Sequence, residues 1–175
     1  MNTELLERLK DHHFEQYTHV RRVSNLCVLI GFELGLNQER LKELKEIGLY
    51  HDIGKIKIPI HILSKPDKLT EEEFEIIKLH TIYSLSLLDT DDKRIREAIL
   101  YHHENLDGSG YFGVKGVELN LYQKILHVAD VFEALTSKRC YREAWTKEAA
   151  YEYMAANSDT MFDRNVVKAL CKIIY

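Results

Sequence analysis

The chain has 175 residues, 45% of them hydrophobic and 30% charged, which suits one domain with a real core and is too little for two of ordinary size. Its formal charge of −4 offers no electrostatic footprint for a nucleic-acid duplex or an anionic membrane, and 8 glycines and 2 prolines exclude a linker-like or disordered chain. No apolar run approaches the roughly 20 residues of a membrane helix, Met1 to Lys10 is too polar for a signal peptide, and Cys27, Cys140 and Cys171 form no CxxC pair, so a reducing cytoplasm is expected.

In chain order, apolar residues at Val20, Val23, Cys27, Ile30 and Leu34 recur at helical steps and predict a long helix from His13 to Gly35. Asn37 caps a second helix, Gln38 to about Tyr50. Pro59 and Pro66 bracket an irregular stretch. Thr70 with Glu71, Glu72 and Glu73 forms a capping box that opens a third helix to about Leu88. Asp91 or Asp92 caps a fourth, which ends near Tyr101. Asn105 to Gly116 holds four of the eight glycines and reads as loop. Leu121–Thr136, Thr146–Asn157 and a segment from Asp163 to the carboxyl terminus complete the helices. No two-residue alternation is sustained, so the expected architecture is a single all-α domain over residues 1–175.

Nine histidines stand out against this background, and carboxylates cluster with them. His51-Asp52 follows an apolar helix end and precedes Gly54 and Lys55. His80 falls mid-helix on the inner side of the third helix. His102 and His103 end the fourth, and Asp130 lies among Ile125, Val128 and Val131. His19 shares a face of the first helix with Glu15, one turn earlier. A buried carboxylate costs several kcal/mol unless it is paired or bound to metal. Each residue also has an ordinary explanation. His80 can bond a carbonyl in the core, Asp130 can pair with Arg139 or Lys124, and Glu15 can face water. Imidazoles and carboxylates without thiolate, drawn from five helices, favour iron or manganese, with zinc or nickel as alternatives.

The strings HDIGKIKIP from His51, ILSKPDKLTEEEF from Ile62, KLH ending at His80, HHENLDGSGY from His102 and ILHVADVFEALTSKRCYREA from Ile125 resemble the HD phosphohydrolase superfamily, and in particular its HD-GYP subfamily. That resemblance implies a compact HD-domain-like bundle of about seven helices, with hydrolysis of cyclic di-GMP. It also implies two or three divalent ions whose bridging water attacks phosphorus. The implied ligands are His19, His51, Asp52, His80, His102, His103 and Asp130, with Asp52 bridging two ions and Glu15 serving a third. Lys55 matches a lysine that contacts a substrate phosphate. Arg139 and Arg142 match basic residues near the dinucleotide phosphates, and Tyr111 belongs to the substrate-recognising triplet.

The chain departs from the subfamily pattern mainly in one region. The name-giving triplet is Gly110-Tyr111-Phe112, without its proline, and the Gly113–Gly116 loop is about one residue short. Cys140 stands where a proline is usual, and Ser84 where a glycine is usual. The metal ligands are unaffected; the loop that meets substrate or partner is changed. The expected activity is therefore a metal-dependent phosphodiesterase acting on a cyclic dinucleotide. The alternatives are an HD phosphohydrolase for another nucleotide, or a catalytically weak domain that binds a cyclic dinucleotide or a protein. A separate regulatory protein would meet the Gly108–Gly116 loop.

Overall fold

The computed structural model describes residues 3–138 and 143–175. Among these the chain forms ten α-helices, one short 3-10 helix and no strand beyond an isolated bridge between Ser158 and Phe162. The helices are α1 (Thr3–His12), α2 (Phe14–Glu33), α3 (Gln38–Tyr50), α4 (Ile60–Leu63), α5 (Glu71–Lys78), α6 (His80–Leu87), α7 (Lys93–Leu100), α8 (Leu121–Thr136), α9 (Lys147–Ala156) and α10 (Arg164–Ile174); the 3-10 helix covers Ile53–Lys57. Asn37, Thr70, Asp92, Asn120, Thr146 and Asp163 each accept a hydrogen bond from the first turn of their helix, and Thr70 with Glu73 completes the capping box. Gly35 at φ +77° turns the chain out of α2.

The all-α expectation holds, with three helices more than expected. Helix α1 was hidden because only Leu5 and Leu9 carry its apolar face through a charged run; both are buried with Val20, Tyr50 and Ile53. Pro59 leads into the four-residue α4 inside the stretch expected to be irregular. The helix expected from Thr70 to Leu88 divides at Leu79, where Leu79 N donates to Ile76 O in a tightened turn. His80 therefore starts α6 rather than sitting mid-helix.

The main core gathers α2, α3, α7, α8, α9 and α10 around Val23, Ile30, Leu44, Ile47, Ile125, Leu126 and Phe162. Helix α8 is buried along most of its length, which explains its weak polar face and brings Asp130 and Glu133 inside. Helix α2 packs along both α3 and α8, so His19 on α2, the end of α3 and Asp130 on α8 converge.

Candidate metal centre

His51 closes α3 and Asp52 begins the step into the 3-10 helix, so the pair lies where the chain turns away from the bundle. Gly54 is required there by close packing rather than by its dihedral freedom: a Cβ would come 2.1 Å from the His80 carbonyl and 2.5 Å from Ser84 N. Ser84 ties the same turn to α6, accepting from Gly54 N (2.8 Å) and donating to the His51 carbonyl (2.7 Å). The departure from glycine at this position is thus a built contact. His102 and His103 follow α7, and Asp130 faces them from α8.

Three of the imidazoles are held in the same way. Nδ1 of His51, His80 and His102 each lies within bonding distance of the carbonyl three residues earlier, namely Gly48 (2.9 Å), Ile77 (2.6 Å) and Ile99 (2.7 Å). Only a protonated Nδ1 can donate there, so each Nε2 carries a bare lone pair directed inward. Yet Nε2 of His80 and His102 stand 3.4 Å apart, and His51 Nε2 and Asp52 Oδ1 are buried without a hydrogen-bond partner. Lone pairs collected at one point in a dry interior call for a cation, and these side chains fit a divalent metal ion. Donor atoms of Asp52, His80, His102 and His103 lie within 4.8 Å of one another; so do those of His19, His51 and Asp52, and those of His51, His102 and Asp130. Asp52 stands in two of these groups.

The electrostatics are set by the same neighbours. Burial works against ionisation of Asp52, but Lys55, His51 and His80 outweigh it and hold the carboxyl well below its ordinary range. Burial likewise opposes the charge on Asp130, and His19, whose Nε2 is 3.0 Å from Oδ1, overcomes it. His19 is pulled two ways: burial favours its neutral form, yet the hydrogen bonds to Asp130 and Glu133 prevail and raise it to about 9. Burial depresses His51 and His102, and takes His103 down to about 3.

Lys55 Nζ lies 2.6 Å from Asp52 Oδ2 and 3.2 Å from Gln16 Oε1, so it belongs to the site and is no solvated surface lysine. Tyr111 lies against the ring of His103 at a centroid distance of 4.6 Å and edge-on to Phe74. Asp130 pairs with His19, while Lys124, its expected alternative partner, sits 3.7 Å from Asp163. Glu15 is exposed and joins none of the donor groups among the described residues: it lies in the first turn of α2, where the helix has emerged into a cleft. Arg139 and Arg142 lie outside the described residues, as does Cys140.

Sequence reasoning missed Glu133. It is buried and accepts from His19 Nδ1 (2.5 Å), from Arg22 Nε and from Ser137 Oγ (2.6 Å). Its signal was available, since Glu133 follows Asp130 by three residues in an apolar helix. Glu104 was also missed. Its carboxylate accepts from the backbone N–H groups of Phe112 and Val114 and so pins the altered triplet loop.

The chain is 40% identical over 158 residues to the cyclic di-GMP phosphodiesterase response regulator RpfG of Xanthomonas campestris, covering 87% of this chain and 42% of that protein. It is 37% identical over 176 residues to a cyclic di-GMP phosphodiesterase of Thermotoga maritima, covering 97% and 48%. Against 3'3'-cGAMP-specific phosphodiesterase 1 of Vibrio cholerae it is 43% identical over 130 residues, covering 72% and 30%. It therefore spans less than half the length of these curated relatives. The fold is shared with Bd1817, an HDG"Y"P protein from Bdellovibrio bacteriovorus, at a TM-score of 0.72 and 19% identity over 89% of this chain and 51% of that one. It is shared too with the HD domain of the L. monocytogenes phosphodiesterase PgpH, solved in complex with cyclic-di-AMP, at a TM-score of 0.69 and 18% identity over 98% and 95%. The family model for the HD domain matches residues 4–166, and the chain, with its clustered histidines and aspartates, belongs to the HD domain family.

Proposed function

We propose that residues 1–175 form one unit, a metal-dependent phosphodiesterase that hydrolyses a cyclic dinucleotide, cyclic di-GMP first. The observation that carries this reading is Asp52, buried and common to two groups of metal-competent donors. His19, His51, Asp52, His80, His102, His103 and Asp130 would hold the divalent ions, Asp52 being the residue common to two of the donor groups. The all N/O donor set favours iron or manganese, with zinc or nickel next. When bound, such a pair lowers the pKa of water and polarises phosphoryl oxygens.

The chain's own residues do the rest. The carbonyl bonds to His51, His80 and His102 keep three lone pairs pointed at one place before any ligand arrives. Lys55 neutralises Asp52 at 2.6 Å, and its ammonium would pair with a substrate phosphate oxygen and offset the charge that builds on phosphorus. Gln16 holds the lysine from the other side. Arg22, Arg139 and Arg142 are the cations for the second phosphate, and Tyr111 walls the centre beside His103. Phe112 and Val117, 44% and 95% exposed, flank the loop as the surface for a separate regulatory protein.

The names of the relatives and the cyclic-di-AMP complex of PgpH support the substrate class. 3'3'-cGAMP is the second candidate, because a relative named for it is 43% identical to this chain. The test is anaerobic loading with Mn(II) or Fe(II), followed by chromatography of products from a panel of cyclic dinucleotides. Turnover of cyclic di-GMP that Asp52→Ala abolishes is the expected result. No turnover of any cyclic dinucleotide by fully loaded protein would overturn it.

A further inference from the structure

A cleft of about 600 Å³ opens beside the candidate centre and shares His19 and Glu133 with it. Gln16, Arg22 and Lys138 give its lining a polar part. Its apolar part is one that packing does not explain: Phe14 is 62% exposed and Ile60 46%, and with Leu63 they line the same opening. Large apolar groups turned to water at the edge of a charged cleft mark a binding surface.

The apolar residues come from two different helices, α2 and α4, and hydrogen bonds tie the segments that carry them. His13 caps α2, its Nδ1 accepting from Gln16 N at 3.3 Å, which places Phe14 at the first turn. His12 Nε2 donates to the Ile58 carbonyl at 3.0 Å and so clamps the α1–α2 junction to the segment that leads into α4 and Ile60. Phe14 itself meets Tyr17 only at a tilted 6.2 Å, which leaves ring surface available. Gln16, two residues on, bonds Lys55 and links this slot to the phosphate-handling end of the site.

We propose that Phe14, with Ile60 and Leu63, forms a slot in which one nucleobase of the substrate stacks while its phosphate lies at the Lys55 end. This rests on the cyclic dinucleotide reading above and adds the residues that grip a base. A flat aromatic face suits any purine or pyrimidine, because every base has a π-face. The polar rim then chooses among bases.

The test compares Phe14→Ala and Phe14→Trp with the wild type, all loaded with Mn(II). Calorimetry gives the affinity for a non-hydrolysable phosphorothioate analogue of cyclic di-GMP, for guanosine 5'-monophosphate and for ribose 5-phosphate. Losing one base–aromatic stack weakens binding roughly 5- to 150-fold. Phe14→Ala should lose that factor for both guanine ligands and leave ribose 5-phosphate unchanged, and Phe14→Trp should restore it. Circular dichroism should be the same for all three proteins, since the side chain is exposed. Guanine-ligand affinities equal in wild type and Phe14→Ala would overturn the slot and leave the phosphodiesterase reading intact. A wild type that turns over no cyclic dinucleotide sinks that reading instead, while the ratio of guanosine 5'-monophosphate to ribose 5-phosphate affinities still decides the slot.

Discussion

Glu133→Gln is the substitution that most sharply separates a positioned ligand from a merely buried one. His51, His80 and His102 draw their orientation from carbonyls of their own chain segment, but His19 Nδ1 depends on a side chain of another helix, Glu133 at 2.5 Å. Glu133 is 3% exposed, and although burial opposes its charge, His19, Ser137 and Arg22 bring its pKa down to about 2. Glutamine keeps the volume and still offers an oxygen to Ser137 and Arg22, so no cavity forms; what is lost is the negative charge that makes His19 a stronger donor. Loss of a carboxylate behind a ligating histidine costs about 10- to 100-fold in metal affinity, or about 1.4 to 2.7 kcal/mol. Titration of Mn(II) into apo-protein against a chromophoric chelator measures it. The loss should fall on the ion held by His19, His51 and Asp52, giving two separated binding phases. Unchanged affinity for both ions would refute the role assigned to Glu133 and with it the placement of His19 in the centre.

The other predictions concern the remaining groups of the site. Lys55→Ala should keep metal content near wild type and lower kcat about 10²-fold, the scale of a lost charged transition-state contact; wild-type kinetics would return Lys55 to a structural ion pair. Glu15→Ala should leave the metal-to-protein ratio unchanged, because Glu15 is exposed and apart from the donor groups; loss of one ion per chain in elemental analysis would restore it as a ligand. In chelator-treated protein the melting temperature should peak near pH 6.5. Below that pH, buried His51 and His102 and the partly buried His103 favour the neutral form in the fold but are protonated when unfolded, so stability grows as pH rises toward 6.5. His19, raised from 6.5 to about 9, contributes fully below pH 6.5 and loses its contribution as pH rises through 9. A melting temperature that climbs steadily to pH 9 would contradict this assignment.

The helices whose apolar faces repeat over several turns, such as α2, α3 and α8, were legible in the sequence, as were their caps, because side-chain periodicity and a capping oxygen are local properties. Helix α1 was not, since Leu5 and Leu9 alone are a weak signal until Tyr50 and Ile53 pack against them. The break at Leu79 is a tertiary effect: His80 has to turn its Nε2 toward Asp52 while Nδ1 bonds Ile77, and no local residue announces it. In the site, the residue types were visible and the convergence was not. His19 and Glu133 are 114 residues apart, and only the packing of α2 on α8 brings them together. Gly54 stands in the sequence only as a glycine after a helix end, and only the packing of α6 shows that its absent Cβ makes room for the His80 carbonyl. Glu15 shares the face of His19 by its four-residue spacing, and in the structure that face reaches the surface one turn earlier, leaving Glu15 exposed and outside the donor groups.

The most direct test of the central claim is the metal-to-protein ratio of anaerobically purified protein, measured on the same samples used for cyclic di-GMP turnover, for wild type and Asp52→Ala. Two ions per chain with turnover in the wild type, and loss of most metal and all turnover in a variant whose helical circular dichroism survives, is what a centre built around a shared Asp52 predicts. Two ions retained in Asp52→Ala with turnover unchanged would contradict it.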